Sequence, residues 1–138
     1  MHCHGAKAVR QLRSTRLYKI FIDTHFAAAH QLHGYQGMCK ELHGHTWKVR
    51  VEITTNQINE IGISFDFKEL KTITESVIER LDHRHINEVA PFDRENPTAE
   101  NLAKYIYHEV KKKVPSFVRM SQVTIWESAI YAISYSEE

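Results

Sequence analysis

The sequence predicts an α+β protein in which two helices cover one face of a four-stranded antiparallel sheet. Strict apolar–polar alternation indicates a strand at residues 46–55. Apolar residues recur at helical spacing between residues 67 and 81 and again between residues 102 and 110. The segments follow one another in the order β-β-α-α-β-β, so two strand pairs flank a helix pair. This order favours a two-layer fold in which the helices cover one face of the sheet.

The first two strands are predicted at residues 17–29 and 46–55. In the second strand, one face is apolar and the other is charged or polar, as in Trp47-Lys48-Val49-Arg50. Successive strand residues point to opposite faces, so this alternation predicts one buried face and one wet face. That arrangement is typical of antiparallel sheets.

Asp66 is predicted to cap the first helix, with Glu69 as its capping-box partner. We expect this helix to end near Asp82. Its apolar stripe is formed by Phe67, Leu70, Ile73, Val77, Ile78 and Leu81.

Residues 83–97 contain two prolines and are predicted to form a loop. Thr98 is expected to cap the second helix, which ends before Pro115. Alternating apolar residues then predict a third strand at residues 120–126 and a fourth at residues 130–135.

The composition is that of an ordinary globular chain of 138 residues, with 42% hydrophobic and 25% charged residues. We expect a flexible tail at residues 1–14 and a single domain at residues 15–138. The net charge of +1 gives no electrostatic reason to expect nucleic acid or a membrane surface as a partner. The chain has two cysteines, Cys3 and Cys39, which favours a reducing, cytoplasmic setting over a disulfide framework.

Three histidines are candidate metal ligands. His43 and His45 are two residues apart, so in an extended segment they point to the same face. His30 ends an apolar run, and the glycine-containing stretch 31–42 can bring it back beside them. Three neutral imidazoles with an open fourth position describe a catalytic zinc site. Cys39 would then lie within reach of that position.

Two alternatives remain open at this point. Cys39 could be a fourth ligand, which would make a closed structural site of one cysteine and three histidines. The His-x-His spacing is also repeated at His83 and His85, although Arg84 between them would repel a second metal ion.

Two acidic residues complete the set of candidates. Asp82 precedes His83, and a carboxylate beside a histidine can fix its tautomer. The residues alone favour a simpler interpretation, in which Asp82 ends a helix and His83 is a solvated loop residue. Glu127 follows the third predicted strand and could accept two parallel hydrogen bonds from an amidine-like pair of N–H groups, as found in pterin and guanine rings. The alternative for Glu127 is an exposed turn glutamate.

Together these motifs resemble the 6-pyruvoyl-tetrahydropterin synthase family, and most closely its bacterial 6-carboxy-tetrahydropterin branch. The resemblance extends from about Tyr18 to Tyr135. Its motifs are His30 after Phe26-Ala27-Ala28-Ala29, the segment from Cys39 to His45, Asp66-Phe67, Leu81-Asp82-His83, Pro97-Thr98-Ala99-Glu100-Asn101 and Glu127. Ile86 and Ser128 depart from the residues usual at those positions, and neither departure removes a proposed reacting group.

The resemblance implies the tunnelling fold, or T-fold. Three subunits would join their sheets into a twelve-stranded barrel, and two trimers would stack into a homohexamer with active sites at subunit interfaces. It further implies Zn2+ as the cofactor, held by His30, His43 and His45.

For the remaining site residues, the resemblance implies roles in catalysis and substrate binding. Cys39 is expected to be the general base, and Asp82 and His83 the proton relay. Glu127 is expected to anchor the pterin and to assist through its charge, and Thr98 to lie near the pterin ring.

The implied substrate is 7,8-dihydroneopterin triphosphate. The carboxy branch converts it to 6-carboxy-5,6,7,8-tetrahydropterin with release of acetaldehyde and triphosphate, in queuosine biosynthesis. The alternatives are formation of the 6-pyruvoyl product and a zinc-stabilised pterin-binding module without catalysis. A related branch of the family has a glutamate in place of the cysteine. Because Glu41 lies near Cys39 in the sequence, some overlap with the activity of that branch remains open.

Overall fold

The structure of the protein is a computed structural model, which describes residues 16–34 and 41–138. The predictions for the tail at residues 1–14 and for Cys39 lie outside these residues. The strands are β1 (Tyr18–His30), β2 (His43–Thr55), β3 (Arg84–His85), β4 (Arg119–Trp126) and β5 (Ala132–Tyr135). The α-helices are α1 (Phe67–Ile78) and α2 (Ala99–Lys111), and a 3₁₀ helix spans Ile86–Glu88. The predicted α+β class is confirmed.

The sheet has the strand order β3-β1-β2-β4-β5. The long hairpin of β1 and β2 is antiparallel along its whole length, from the pair Tyr18 and Thr55 to the pair His30 and His43. β4 is antiparallel to β2, and β5 is antiparallel to β4. The four predicted strands are therefore present, and β2 begins at His43, earlier than expected.

The fifth strand, β3, was not predicted. It pairs with β1 in parallel, through Ala28 with Arg84 and Ala29 with His85. Two residues are too few to show alternation, and the segment was expected to be a loop. The chain is held there because the backbone N–H of His83 donates to the carbonyl of Ala27. The sheet is thus mixed at one edge instead of wholly antiparallel.

The core lies between the sheet and the two helices. The apolar face of β2 is completely buried, and so are the apolar positions of α2. Asp66 and Thr98 cap the helices as predicted: their side chains accept hydrogen bonds from the backbone N–H groups of Lys68 and Asn101. Phe67 is an exception to the predicted stripe, because it is 65% exposed and the buried face of α1 begins only at Leu70.

The other face of the sheet carries the predicted polar residues. Arg50 donates two hydrogen bonds to Asp23, at 2.7 and 3.0 Å, and its guanidinium lies 4.4 Å from the ring centre of Phe21. The hydrogen bond from Arg50 lowers the pKa of Asp23. Among the described residues, no helix is both long enough and apolar enough to cross a membrane.

Candidate metal centre

The three predicted metal ligands meet at one end of the β1–β2 hairpin. His30 pairs directly with His43, and Ala28 pairs with His45. Because residues two apart share a face of the sheet, all three imidazoles project to the buried side. The ring centres are 4.8 Å apart for His30 and His43, 5.1 Å for His30 and His45, and 4.5 Å for His43 and His45.

Glu127 joins this group from the end of β4. One of its carboxylate oxygens lies 3.2 Å from Nε2 of His30 and 3.4 Å from Nε2 of His45. One donor atom from each of His30, His43, His45 and Glu127 can be chosen so that all four lie within 4.8 Å of one another. Glu127 continues the alternation of the buried Val123 and Ile125. That pattern in the sequence could have placed Glu127 on the same face as the histidines.

The hydrogen bonds of the histidines leave lone pairs facing the centre of the group. Nδ1 of His30 donates to the carbonyl of Pro97 at 2.7 Å, and Nδ1 of His43 donates to the carbonyl of Glu41 at 2.7 Å. A carbonyl can only accept, so in the neutral rings the proton is on Nδ1 and Nε2 carries a lone pair. Nε2 of both His30 and His45 is buried without a hydrogen-bond partner.

This donor set fits a divalent metal ion. The buried Nε2 lone pair of His30 faces a carboxylate oxygen of the half-buried Glu127. Two acceptors that face each other repel unless a cation lies between them. Tetrahedral zinc with bonds of about 2.0–2.1 Å places neighbouring ligand atoms about 3.3–3.4 Å apart. The distances of 3.2 and 3.4 Å between Glu127 and the two nitrogens match that spacing.

Burial favours the neutral histidines that a metal requires. It lowers the pKa of both His30 and His45, although the negative charge of Glu127 acts in the opposite direction. Metal ions bind unprotonated imidazole, so a lower pKa reduces competition from protons.

Asp82 and His83 form the predicted pair at the edge of the sheet. Oδ1 of Asp82 lies 3.0 Å from Nδ1 of His83 and also accepts the backbone N–H of Ala27 at 3.0 Å. The bond from Ala27 lowers the pKa of Asp82, and His83 lowers it further. His83 has a left-handed backbone (φ 58°), and its side chain is 82% exposed. The pair is therefore formed, and the imidazole faces outward.

The other candidates are placed as follows. The side chain of Thr98 accepts a hydrogen bond from the backbone N–H of Asn101 at 3.1 Å, and its predicted place near a pterin ring stays a prediction.

His85 lies 3.2 Å from Glu88. In the part of the chain that the structure describes, His30, His43, His45 and Glu127 are the one group suited to a metal, so a second site at His83 and His85 gains no support. A cavity of about 800 Å³ shares no residue with the metal centre.

Sequence reasoning gave no role to Asn87 and Asn96. The side-chain amides of these residues bind the backbone of the segment that follows His30. Both lie in the stretch expected to be a loop, where nothing in the spacing of residues indicates a partner.

The position of Glu127 leads to a test of its role. We expect Glu127→Gln to weaken metal binding about 10–100-fold, because a neutral amide removes the negative charge next to the histidines. A competition titration with a chelating dye measures this affinity. Glu88→Gln is the matched control, since Glu88 is an exposed carboxylate beside His85. Unchanged metal affinity with a raised KM would show that Glu127 acts on the substrate alone.

The chain is similar to known pterin enzymes. A model of the family 6-pyruvoyl tetrahydropterin synthase matches residues 19–138. A 6-carboxy-5,6,7,8-tetrahydropterin synthase of Synechocystis is 30% identical over 125 residues, covering 86% of this chain and 93% of that protein. A dihydroneopterin monophosphate aldolase of Pyrococcus furiosus is 33% identical over 94 residues, covering 68% and 77%.

The solved structures lead to the same fold. The 6-pyruvoyl tetrahydropterin synthase of Caenorhabditis elegans superposes with a TM-score of 0.79 at 25% identity, covering 89% of this chain and 97% of that one. The predicted T-fold is confirmed by this similarity, with the short strand β3 as an addition to the expected four.

Proposed function

Because the chain belongs to the 6-pyruvoyl tetrahydropterin synthase family, we propose that it is a zinc-dependent 6-carboxytetrahydropterin synthase. The substrate is 7,8-dihydroneopterin triphosphate, and the reaction consumes one water and releases acetaldehyde and triphosphate. We place it in queuosine biosynthesis. The observation that carries the proposal is the convergence of His30, His43, His45 and Glu127 on one point. The similarity to the Synechocystis enzyme favours the carboxy product.

Different residues of the chain have different roles in the proposed reaction. His30, His43 and His45 would hold the zinc ion, whose Lewis acidity would make the side-chain hydroxyls of the substrate more acidic. Cys39, as a thiolate, accepts a proton from the substrate side chain. The pterin ring and the side chain of the substrate exchange oxidation levels with each other, so the reaction needs no redox cofactor.

Asp82 and His83 form the proton relay in this scheme. The carboxylate of Asp82 faces Nδ1 of His83 at 3.0 Å, which keeps a proton on Nδ1 and leaves Nε2 free to take up and return another. Glu127 accepts hydrogen bonds from N–H groups of the pterin or balances the positive charge of the metal beside it. Thr98 would lie near the pterin ring in this scheme; it caps the start of α2 and follows Pro97, whose carbonyl accepts the Nδ1 proton of His30.

The product decides between this proposal and its alternatives. The protein, loaded with zinc, is incubated with 7,8-dihydroneopterin triphosphate, and the pterin product is identified by mass. We expect 6-carboxytetrahydropterin and an equal amount of acetaldehyde, and no turnover after removal of the metal. A 6-pyruvoyl product without acetaldehyde would identify a 6-pyruvoyl-tetrahydropterin synthase. Binding of dihydroneopterin without triphosphate release would identify a zinc-stabilised pterin-binding module.

We further propose that the enzyme is a homohexamer, a dimer of trimers, acting in a reducing cytoplasm. β3 and β5 are the edge strands of the sheet, and unpaired edge groups favour pairing with other subunits. His83 is 82% exposed, which suits a relay that serves a site shared with a neighbouring subunit. Light scattering tests the assembly, and a monomer would contradict it.

A further inference from the structure

Two asparagine side chains take the place of a neighbouring strand beyond the end of β1. The carboxamide of Asn87 accepts the N–H of Gln31 at 2.9 Å and donates to its carbonyl at 2.8 Å. The carboxamide of Asn96 does the same to His33, at 2.8 and 2.7 Å. The strand itself ends at His30, and His33 lies in a bend. The two amides therefore hold the backbone of the segment that follows β1.

Asn96 is also joined to the group that orients His30. The next residue is Pro97, whose carbonyl accepts the Nδ1 proton of His30 at 2.7 Å. The carbonyl of Asn96 accepts a hydrogen bond from the side chain of Asn101 at 2.9 Å, and Thr98 caps α2. Residues 96–98 are thus attached to the start of α2 at one side and to the end of β1 at the other.

We propose that Asn96 is a positioning residue for the metal centre. His30 is completely buried, and its orientation depends on the distance between its own backbone and the carbonyl of Pro97. The carboxamide of Asn96 fixes that distance, because it joins the residue before Pro97 to the backbone of His33, three residues after His30. It thereby holds the tautomer and the direction of Nε2.

The chemistry of the side chain explains why an asparagine is needed here. The backbone of His33 offers one donor and one acceptor, and a carboxamide can satisfy both at once. Aspartate would accept from the N–H of His33 but would place an acceptor against its carbonyl. Alanine would make neither bond. The contact is exposed, so its loss should affect the geometry of His30 more than global stability.

The test compares Asn96→Ala with Asn59→Ala. Asn59 is the matched control because its side chain also makes two hydrogen bonds to the backbone, in a loop beyond the other end of β2. Its Oδ1 accepts hydrogen bonds from the N–H groups of Ile61 and Ile63 at 3.0 Å each. Co2+ affinity is measured by competition with a chelator, Co2+ geometry by the visible spectrum, and stability by thermal unfolding. We expect Asn96→Ala to weaken Co2+ binding about 10–100-fold and to alter the visible bands. Asn96→Asp should lose less affinity, and Asn59→Ala none.

Wild-type Co2+ affinity and spectrum in Asn96→Ala would overturn the proposal. An equal loss of Co2+ affinity in Asn59→Ala would also overturn the proposal, because the loss would then be explained by general destabilisation of the protein. If Asn96→Ala does not fold, wild-type affinity in Asn96→Asp is the outcome that refutes the role. The consequence for turnover rests on the proposed function. The Co2+ measurements use no substrate, so failure of the product assay leaves them interpretable.

Discussion

Replacing Cys39 with alanine is expected to remove most turnover while the protein keeps its metal. A positioned general base typically contributes about 10²–10⁴-fold to a rate, and alanine cannot accept a proton. The described part of the chain already supplies four donors without sulfur, from His30, His43, His45 and Glu127. Steady-state kinetics with dihydroneopterin triphosphate and the zinc content per chain measure the two effects.

Cys3→Ala is the control for this substitution, since Cys3 is the other cysteine of the chain and lies in the predicted tail. It should leave both turnover and zinc content unchanged. Loss of zinc from Cys39→Ala would instead favour the closed structural site, in which the sulfur is a ligand.

The second large effect is expected from His43→Ala. The loss of one of three imidazoles should reduce metal affinity by more than the roughly 10–100-fold that follows the loss of an outer-shell partner. Turnover should fall to the level of the metal-free protein. His43 is only half-buried, so alanine should leave the unfolding midpoint of the metal-free protein nearly unchanged. A chelator competition and a thermal scan of the metal-free protein separate the two effects.

His25→Ala is the matched control, because His25 is an exposed histidine on the opposite face of β1. Its metal affinity should equal that of the wild type. If His43→Ala also retained that affinity, the three histidines would not be the metal site, and the proposed function would lose its main support.

Local patterns in the sequence were enough to predict the β1–β2 hairpin and the three histidines. The alternation of β2 assigns Trp47 and Val49 to the buried face, and the same period extended backwards places His43 and His45 there as well. The position of His30 opposite His43 follows once the two strands pair. These features depend on neighbours in sequence and on one hairpin, which is why the residues alone could indicate them.

Other features depend on contacts between distant segments. The strand β3 exists because Asp82 and His83 bind Ala27, which lies more than fifty residues earlier in the chain. The amide contacts of Asn87 and Asn96 are equally remote from the segment they hold. Neither the strand β3 nor these amide contacts correspond to a periodic pattern of residues in the sequence. The roles of Cys39, Asp82 and His83 came from the resemblance to a family, since spacing alone left simpler interpretations open.

The pairing of His30 with His43 makes the chemistry depend on how many residues each strand contains. Strand side chains alternate between faces, so one residue inserted into β1 before His30 would turn its imidazole away from the other two. An insertion of the same size in the exposed connection at residues 56–64 leaves the histidines where they are. Relatives that share this group of histidines are therefore expected to differ in length at such connections and to conserve the residue count of the hairpin strands.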